Sequence, residues 1–285
     1  MTTILRVTII SLLTLTTNTI FTSCTDVIEV DVPEAETRLV VEASIDWEKG
    51  TPGNNQSIKL STTTPYFDQE TNTNVVGASV VLTNNNDSSE TVFTGQNNGN
   101  YTTTTFIPVL SNSYTLKIIY NGETYSAQET LIPVTDIIDV YQTTEKGLKD
   151  VLEFNIDFQD PIDEVNYYYF KIQEHADLLP TLLELKDEFT DGNLLSVYNE
   201  RTEDEDINQV EYMPGDMVNV QLYGISEQYS TFIRLLIEQY NIDANPFGLT
   251  PVPIKGNCIN PSNPEKYALG YFRLTQVVKT NYTFQ

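Results

Sequence analysis

SYTLKIIYNGETYSAQETLIP, residues 113–133, holds two strand-like runs on either side of Asn121-Gly122. Both turn residues accept positive φ, which the tight turns between paired strands require. The stretch therefore predicts a β-hairpin, and the same pattern extends outward from it. Towards the N-terminus lie ETRLVVEASID (36–46), QSIKLSTTTPYF, GASVVLTNN, ETVFTGQ and GNYTTTTFI. These are short runs rich in Val, Ile, Thr and Tyr, separated by Asn, Gly and Ser clusters about every eight to twelve residues, the spacing of an all-β sandwich. Gly99-Asn100 marks a further turn before Tyr101.

Pro133 closes this domain, and residues 134–285 open a second β-rich one. Its strands are VTDIIDVYQ, VLEFNIDFQD, NYYYFKIQEH, MVNVQLYGI and KYALGYFRLTQV. In EFNIDFQD, Phe154, Ile156 and Phe158 alternate with polar residues, as one buried sheet face requires. One helix is expected over 226–242. Tyr229, Phe232, Ile233, Leu236, Ile237 and Tyr240 form a single apolar stripe, Ser226 is placed to cap it, and Asn245-Pro246 to stop it. The stripe is expected to pack on the second sheet, with a partner-binding face the alternative. Leu182, Leu183 and Leu185 suggest a short helix within an excursion from that sheet. The expected fold class is thus mainly β: an N-terminal immunoglobulin- or transthyretin-like sandwich (36–133), then a β-rich domain with one amphipathic helix.

Residues 1–23 read as a secretory leader, with Arg6 ahead of a short apolar run and small polar residues at the exit. The apolar part falls short of the ~20 residues that span a bilayer. Cys24 follows at the cleavage position, in Phe21-Thr22-Ser23-Cys24, which is similar to a bacterial lipobox with Phe21 in the usual leucine position. Lipid on Cys24, diacylglycerol plus an N-acyl chain such as palmitate, is the expected anchor, each buried methylene adding ~0.8 kcal/mol. Residues 24–35 are an acidic tether. The second cysteine, Cys258, is expected to be a small apolar filler, with a free thiol or an intermolecular cross-link the alternatives.

With 15 Lys or Arg against 40 Asp or Glu, the formal net charge is −25. Nucleic-acid binding needs cations in number and is not expected. His175 is the only histidine, which excludes most triads and zinc sites. The chain has no nucleophile elbow, phosphate loop or dinucleotide fingerprint. No short motif selects a carboxylate pair from the 40 acids, so no enzyme activity is expected. Calcium is the remaining metal to consider. Glu203, Asp204, Glu205 and Asp206 are a dense oxygen cluster. Residues Asp68 to Asn74 begin like a calcium loop but carry Thr73 at the turn glycine and Ser79 at the closing glutamate. A solvated acidic loop is the expectation for both, with calcium the alternative. In Tyr167-Tyr168-Tyr169, successive rings must face opposite ways, so at least one is expected to point outward or into an interface while the others are core.

CTDVIEVDVPEAETRLVVEASI, Gly77-Ala78-Ser79-Val80, the turn before Tyr101, SYTLKIIYNGETYSA, GNCIN and ALGYF occur in an order that resembles the Bacteroidota lipoprotein family known as domain of unknown function 4249. Phe21 and Cys258 depart from its pattern. The resemblance implies an outer-membrane lipoprotein, often encoded beside a TonB-dependent β-barrel, and supplies no catalytic residues. It also implies that Asp26, Glu29 and Asp31, next to the lipid, act as a signal for export to the cell surface. The expected role is a partner subunit of an outer-membrane β-barrel complex. An accessory subunit of assembly or secretion machinery and a glycan-binding surface protein remain open alternatives.

Overall fold

A computed structural model describes residues 36–65, 72–144, 151–174, 177–188, 191–203, 209–242 and 254–285. The first half contains β1 (Leu39–Glu48), β2 (Gln56–Thr62), β3 (Ser79–Asn84), β4 (Glu90–Gly95), β5 (Asn100–Thr103), β6 (Ser113–Tyr120) and β7 (Glu123–Thr130). The second contains β8 (Ile137–Thr143), β9 (Glu153–Gln159), β10 (Tyr167–Glu174), β11 (Thr181–Lys186), β12 (Leu194–Glu200), β13 (Met217–Ile225), helix α1 (Glu227–Ile242) and β14 (Leu269–Thr283). The chain is mainly β, as its pattern predicts.

Strands β6 and β7 form the expected hairpin, with Asn121 at φ 50° and Gly122 at φ 78°. Alternation then sets the first core. Val41, Ala43 and Ile45 of β1, Ile58 and Leu60 of β2, Leu116 and Ile118 of β6, and Ala127 of β7 are all buried in one cluster. Strands β1, β2 and β5 are hydrogen-bonded in sequence to β4, which also pairs with β3. One core can contain β1 and β6 residues only if the sheet folds over at β4, which gives a two-layer sandwich. Tyr101, buried in that core, donates to the Val75 carbonyl (3.1 Å) and accepts from Ala78 N–H (3.0 Å), pinning the loop that leads into β3.

The sheet continues past Pro133. Its order is β11-β10-β13-β14-β1-β2-β5-β4-β3-β6-β7, and β14 is the seam. Its first part runs parallel to β1, from Val40↔Leu269 to Glu48↔Val277, and its second part is antiparallel to β13. Cys258, Ala268, Phe272 and Leu274 thereby enter the core of the first sandwich.

A three-stranded sheet, β12-β9-β8, covers one face of the β10–β13 region through Phe154, Ile156, Phe158, Phe170 and Val220. Helix α1 covers the opposite face through Tyr229 and Ile233, which pack with Tyr169, Tyr223 and Tyr271. Ser226 caps it as expected, its Oγ accepting from Tyr229 N–H at 3.1 Å. The polar residues Glu153 and Asn155 of β9 are fully buried as well, joined through the Thr143 hydroxyl. The leucines at 182, 183 and 185 lie in a strand, β11, and not in a helix. Leu183 and Leu185 pack against the core under the small sheet and Leu182 against the core under α1, so pairing with β10 overrides their helical propensity.

Candidate functional site

The apolar stripe of α1 is longer than the surface it covers. Tyr229 and Ile233 are buried, but Leu236 is 40% exposed and Tyr240 71% exposed. These residues overhang the start of β11, where Leu178 and Leu179 are 94% and 62% exposed. Between helix and strand runs a groove of about 680 Å³ lined by Leu178, Leu179, Leu182, Leu236, Ile237 and Tyr240. Contiguous exposed apolar side chains of this kind mark interaction surfaces in soluble folds.

The groove lies at a sheet edge. Strand β11 ends the sheet order, with β10 as its only pairing partner among the described residues. The opposite end of the sheet is treated differently. Strand β7 exchanges two backbone hydrogen bonds with Ile259, Ser126 N–H to its carbonyl (2.8 Å) and its N–H to Ser126 (2.9 Å).

One end of the groove is polar. Arg201 pairs with Glu174 and with Asp177 (3.2 Å), and the Tyr212 hydroxyl lies 2.7 Å from Glu174. One cation thus faces two carboxylates. Burial raises the Asp177 pKa above the ordinary carboxylate value.

Two other charged clusters draw most of their partners from the protein itself. Buried Arg273 donates to Asp46 (2.6 Å) and to the Tyr229 hydroxyl (3.0 Å). The rings of Tyr223 and Tyr229 each lie 4.9 Å from its guanidinium carbon. Asp160, Asp187 and Asp191 bring carboxylate oxygens within 4.8 Å of one another. Asp160 is satisfied by the Tyr168 hydroxyl and by Gly192 N–H (2.9 Å), and Asp187 accepts from Asn166 N–H (2.9 Å). Burial, together with neighbouring Asp160, raises the Asp187 pKa. The trio has no sequence signature because its members sit at unrelated spacings: Asp160 follows β9 and Asp191 precedes β12, two strands that pair, while Asp187 follows β11.

Of the residues singled out by sequence, Cys24, Asp26, Glu29, Asp31, Asp204, Glu205, Asp206 and His175 lie outside the described residues. The same holds for Asp68 and Glu70. Glu203 is described and exposed. Asn72 accepts from Asn74 N–H at 3.0 Å, a local turn bond. Tyr168 and Tyr169 are buried in separate cores on opposite faces of the sheet, with Tyr167 packed beside Tyr169. Cys258 is 2% exposed, and burial pushes its thiol pKa up to about 12. The sequence pattern does not show the groove itself: its strand wall carries leucines that suggest a helix, and its helix wall carries a stripe for which a partner-binding face is only the alternative expectation.

Among solved structures, a two-domain fibronectin type-III segment of chicken tenascin is similar at 10% identity and TM-score 0.21, covering 59% of this chain and 83% of that one. A DUF4785 family protein from Legionella pneumophila subsp. pneumophila str. Philadelphia 1 is similar at 10% identity and TM-score 0.26. It aligns with 66% of this chain, which spans about half (51%) of that protein. No curated protein sequence matches. The profile of the family described as Domain of unknown function (DUF4249) matches residues 25–281, and the chain belongs to that family.

Proposed function

We propose that this protein is a non-enzymatic lipoprotein of the outer membrane, acylated on Cys24 and facing the cell exterior, that serves as a partner subunit of a β-barrel complex of the TonB-dependent transporter kind. The observation that carries the binding role is the exposed apolar groove beside β11, which pairs only with β10 among the described residues. A groove with such walls suits recognition of another polypeptide. The leader and Cys24 support the anchor, and Asp26, Glu29 and Asp31 support the outward orientation. Among the described residues no helix is long and apolar enough to cross a membrane, so the attachment in this reading is the acyl chain. The lipid is the only cofactor in this reading, with no role given to calcium at Glu203–Asp206. Anchoring confines the search for a partner to the membrane surface and raises its effective concentration there.

Purification of the tagged chain from outer membranes in mild detergent tests the reading. A β-barrel retained through washing supports it. A lone monomer, under conditions that keep other barrel complexes intact, contradicts it.

A further inference from the structure

We propose that the groove between α1 and β11 receives an extended, cationic and apolar segment of a partner protein, which adds to β11 as a further strand. The inference rests on the binding-subunit reading above and identifies the surface and the chemistry of what it holds.

Backbone geometry identifies the occupant as polypeptide. Antiparallel pairs alternate between those that exchange both backbone hydrogen bonds and those that exchange none. Asp187 N–H donates to the Asn166 carbonyl at 3.2 Å, in register with the pairs Lys186↔Tyr167 through Thr181↔Ile172. Leu185, Leu183 and Thr181 are therefore bonded to β10, whereas Leu182, Glu184 and Lys186 turn their N–H and C=O groups to the free edge. Strand addition at such an edge combines main-chain hydrogen bonds with pockets for alternate side chains. The groove supplies the pocket on one face, where Leu236, Ile237 and Tyr240 overhang the strand. Folds commonly block exposed strand edges, and this sheet covers its other end with Ile259, whereas β11 pairs only with β10 among the described residues.

Charge identifies the class of segment. At the polar end, Arg201 neutralises only one of Glu174 and Asp177, which leaves a negative site for a lysine or arginine of the partner. The formal net charge of −25 opposes a second copy of the chain and favours a cationic visitor.

The test uses the full chain and a synthetic peptide of about ten residues that alternates leucine and threonine and carries lysine at both ends. The expected result is binding with new hydrogen-exchange protection at the amides of Leu182, Glu184 and Lys186. Tyr240→Glu and Leu179→Glu, both at exposed positions and so expected to fold, should each weaken it by about tenfold or more. A peptide N-methylated at alternate residues should not bind, and one with glutamate ends should bind about tenfold less well. No binding, binding indifferent to N-methylation, or protection confined to other strands overturns the proposal. So does concentration-dependent dimerisation of the chain alone that protects the same three amides, which would assign the edge to a second copy. If Tyr240→Glu and Leu179→Glu chains still recover a barrel from membranes, the groove is excluded while the anchored-subunit reading stands. If no chain recovers a barrel yet the peptide binds as described, the reading fails and the groove stands.

Discussion

Arg273 of β14 pairs with Asp46 of β1 at 2.6 Å, and the cation is nearly sealed from water while the anion keeps partial access. The pair spans the parallel seam that joins the last strand of the chain to the first. Buried charges are expensive unless paired, and removal of one partner costs far more than replacement of both. Asp46→Asn is therefore expected to cost about 3 kcal/mol, read from chemical denaturation. Addition of Arg273→Met to that variant should recover part of the loss. Additive losses in the double variant would contradict the coupling.

The same seam depends on one glycine. Gly270 has φ +82°, and a Cβ placed there would lie 2.1 Å from the Val41 carbonyl oxygen, a backbone atom. Gly122, at φ +78° in the β6–β7 turn, has nothing within 4 Å of such a Cβ. Gly122→Ala should cost about 1 kcal/mol, for backbone strain alone. Gly270→Ala should cost about 3 kcal/mol or more, because strand and strand must separate. Equal shifts of the two denaturation midpoints would show that the seam has slack.

Glu129 gives a pH prediction with a definite sign. It is buried, accepts from the Tyr271 hydroxyl (2.7 Å) and lies 3.2 Å from the Ser226 hydroxyl at the start of α1. Burial raises its pKa above the ordinary value of 4.5, with these hydrogen bonds opposing the rise. Its contribution is then fully present below about pH 4.5 and is lost as pH rises through the raised folded value. Glu129→Gln removes that dependence. The stability of the variant relative to the parent should increase as pH is raised from 4.5 towards neutrality. A difference that stays constant with pH would contradict the assignment.

Cys258 should be inert in the folded protein. With its thiol pKa near 12 and 2% exposure, almost no thiolate exists at neutral pH to attack a thiol reagent. Labelling should await unfolding, and Cys258→Ala should cost about 1 kcal/mol for lost packing. Fast labelling of the native chain would show that the C-terminal segment opens away from the sandwich core.

Much of the fold was legible because its signals are local. Asn121-Gly122 fixes a hairpin, the alternation in β1 and β9 fixes buried faces, and Ser226 fixes the start of α1. The seam was not legible. Parallel pairing of β1 with β14 joins residues more than two hundred positions apart, and no turn or period records such a contact. The groove was hidden for a related reason. Residues 182–185 carry leucines that suit a helix, and only β10 makes them a strand. The stripe of α1 predicts an apolar face of full length, but the sheet ends beneath it and leaves Leu236 and Tyr240 uncovered. The carboxylate trio likewise depends on strand pairing and has no spacing that a sequence could display.

In the proposed function, a lipid-anchored chain binds a β-barrel through the groove between α1 and β11. The direct measurement is the stoichiometry of partners recovered by affinity purification from native outer membranes, comparing the parent chain with Cys24→Ala and with Tyr240→Glu. One barrel per parent chain is expected, with its loss in Cys24→Ala because the chain no longer reaches the membrane, and its depletion in Tyr240→Glu although the chain stays anchored. Recovery of the parent chain free of any barrel would contradict it.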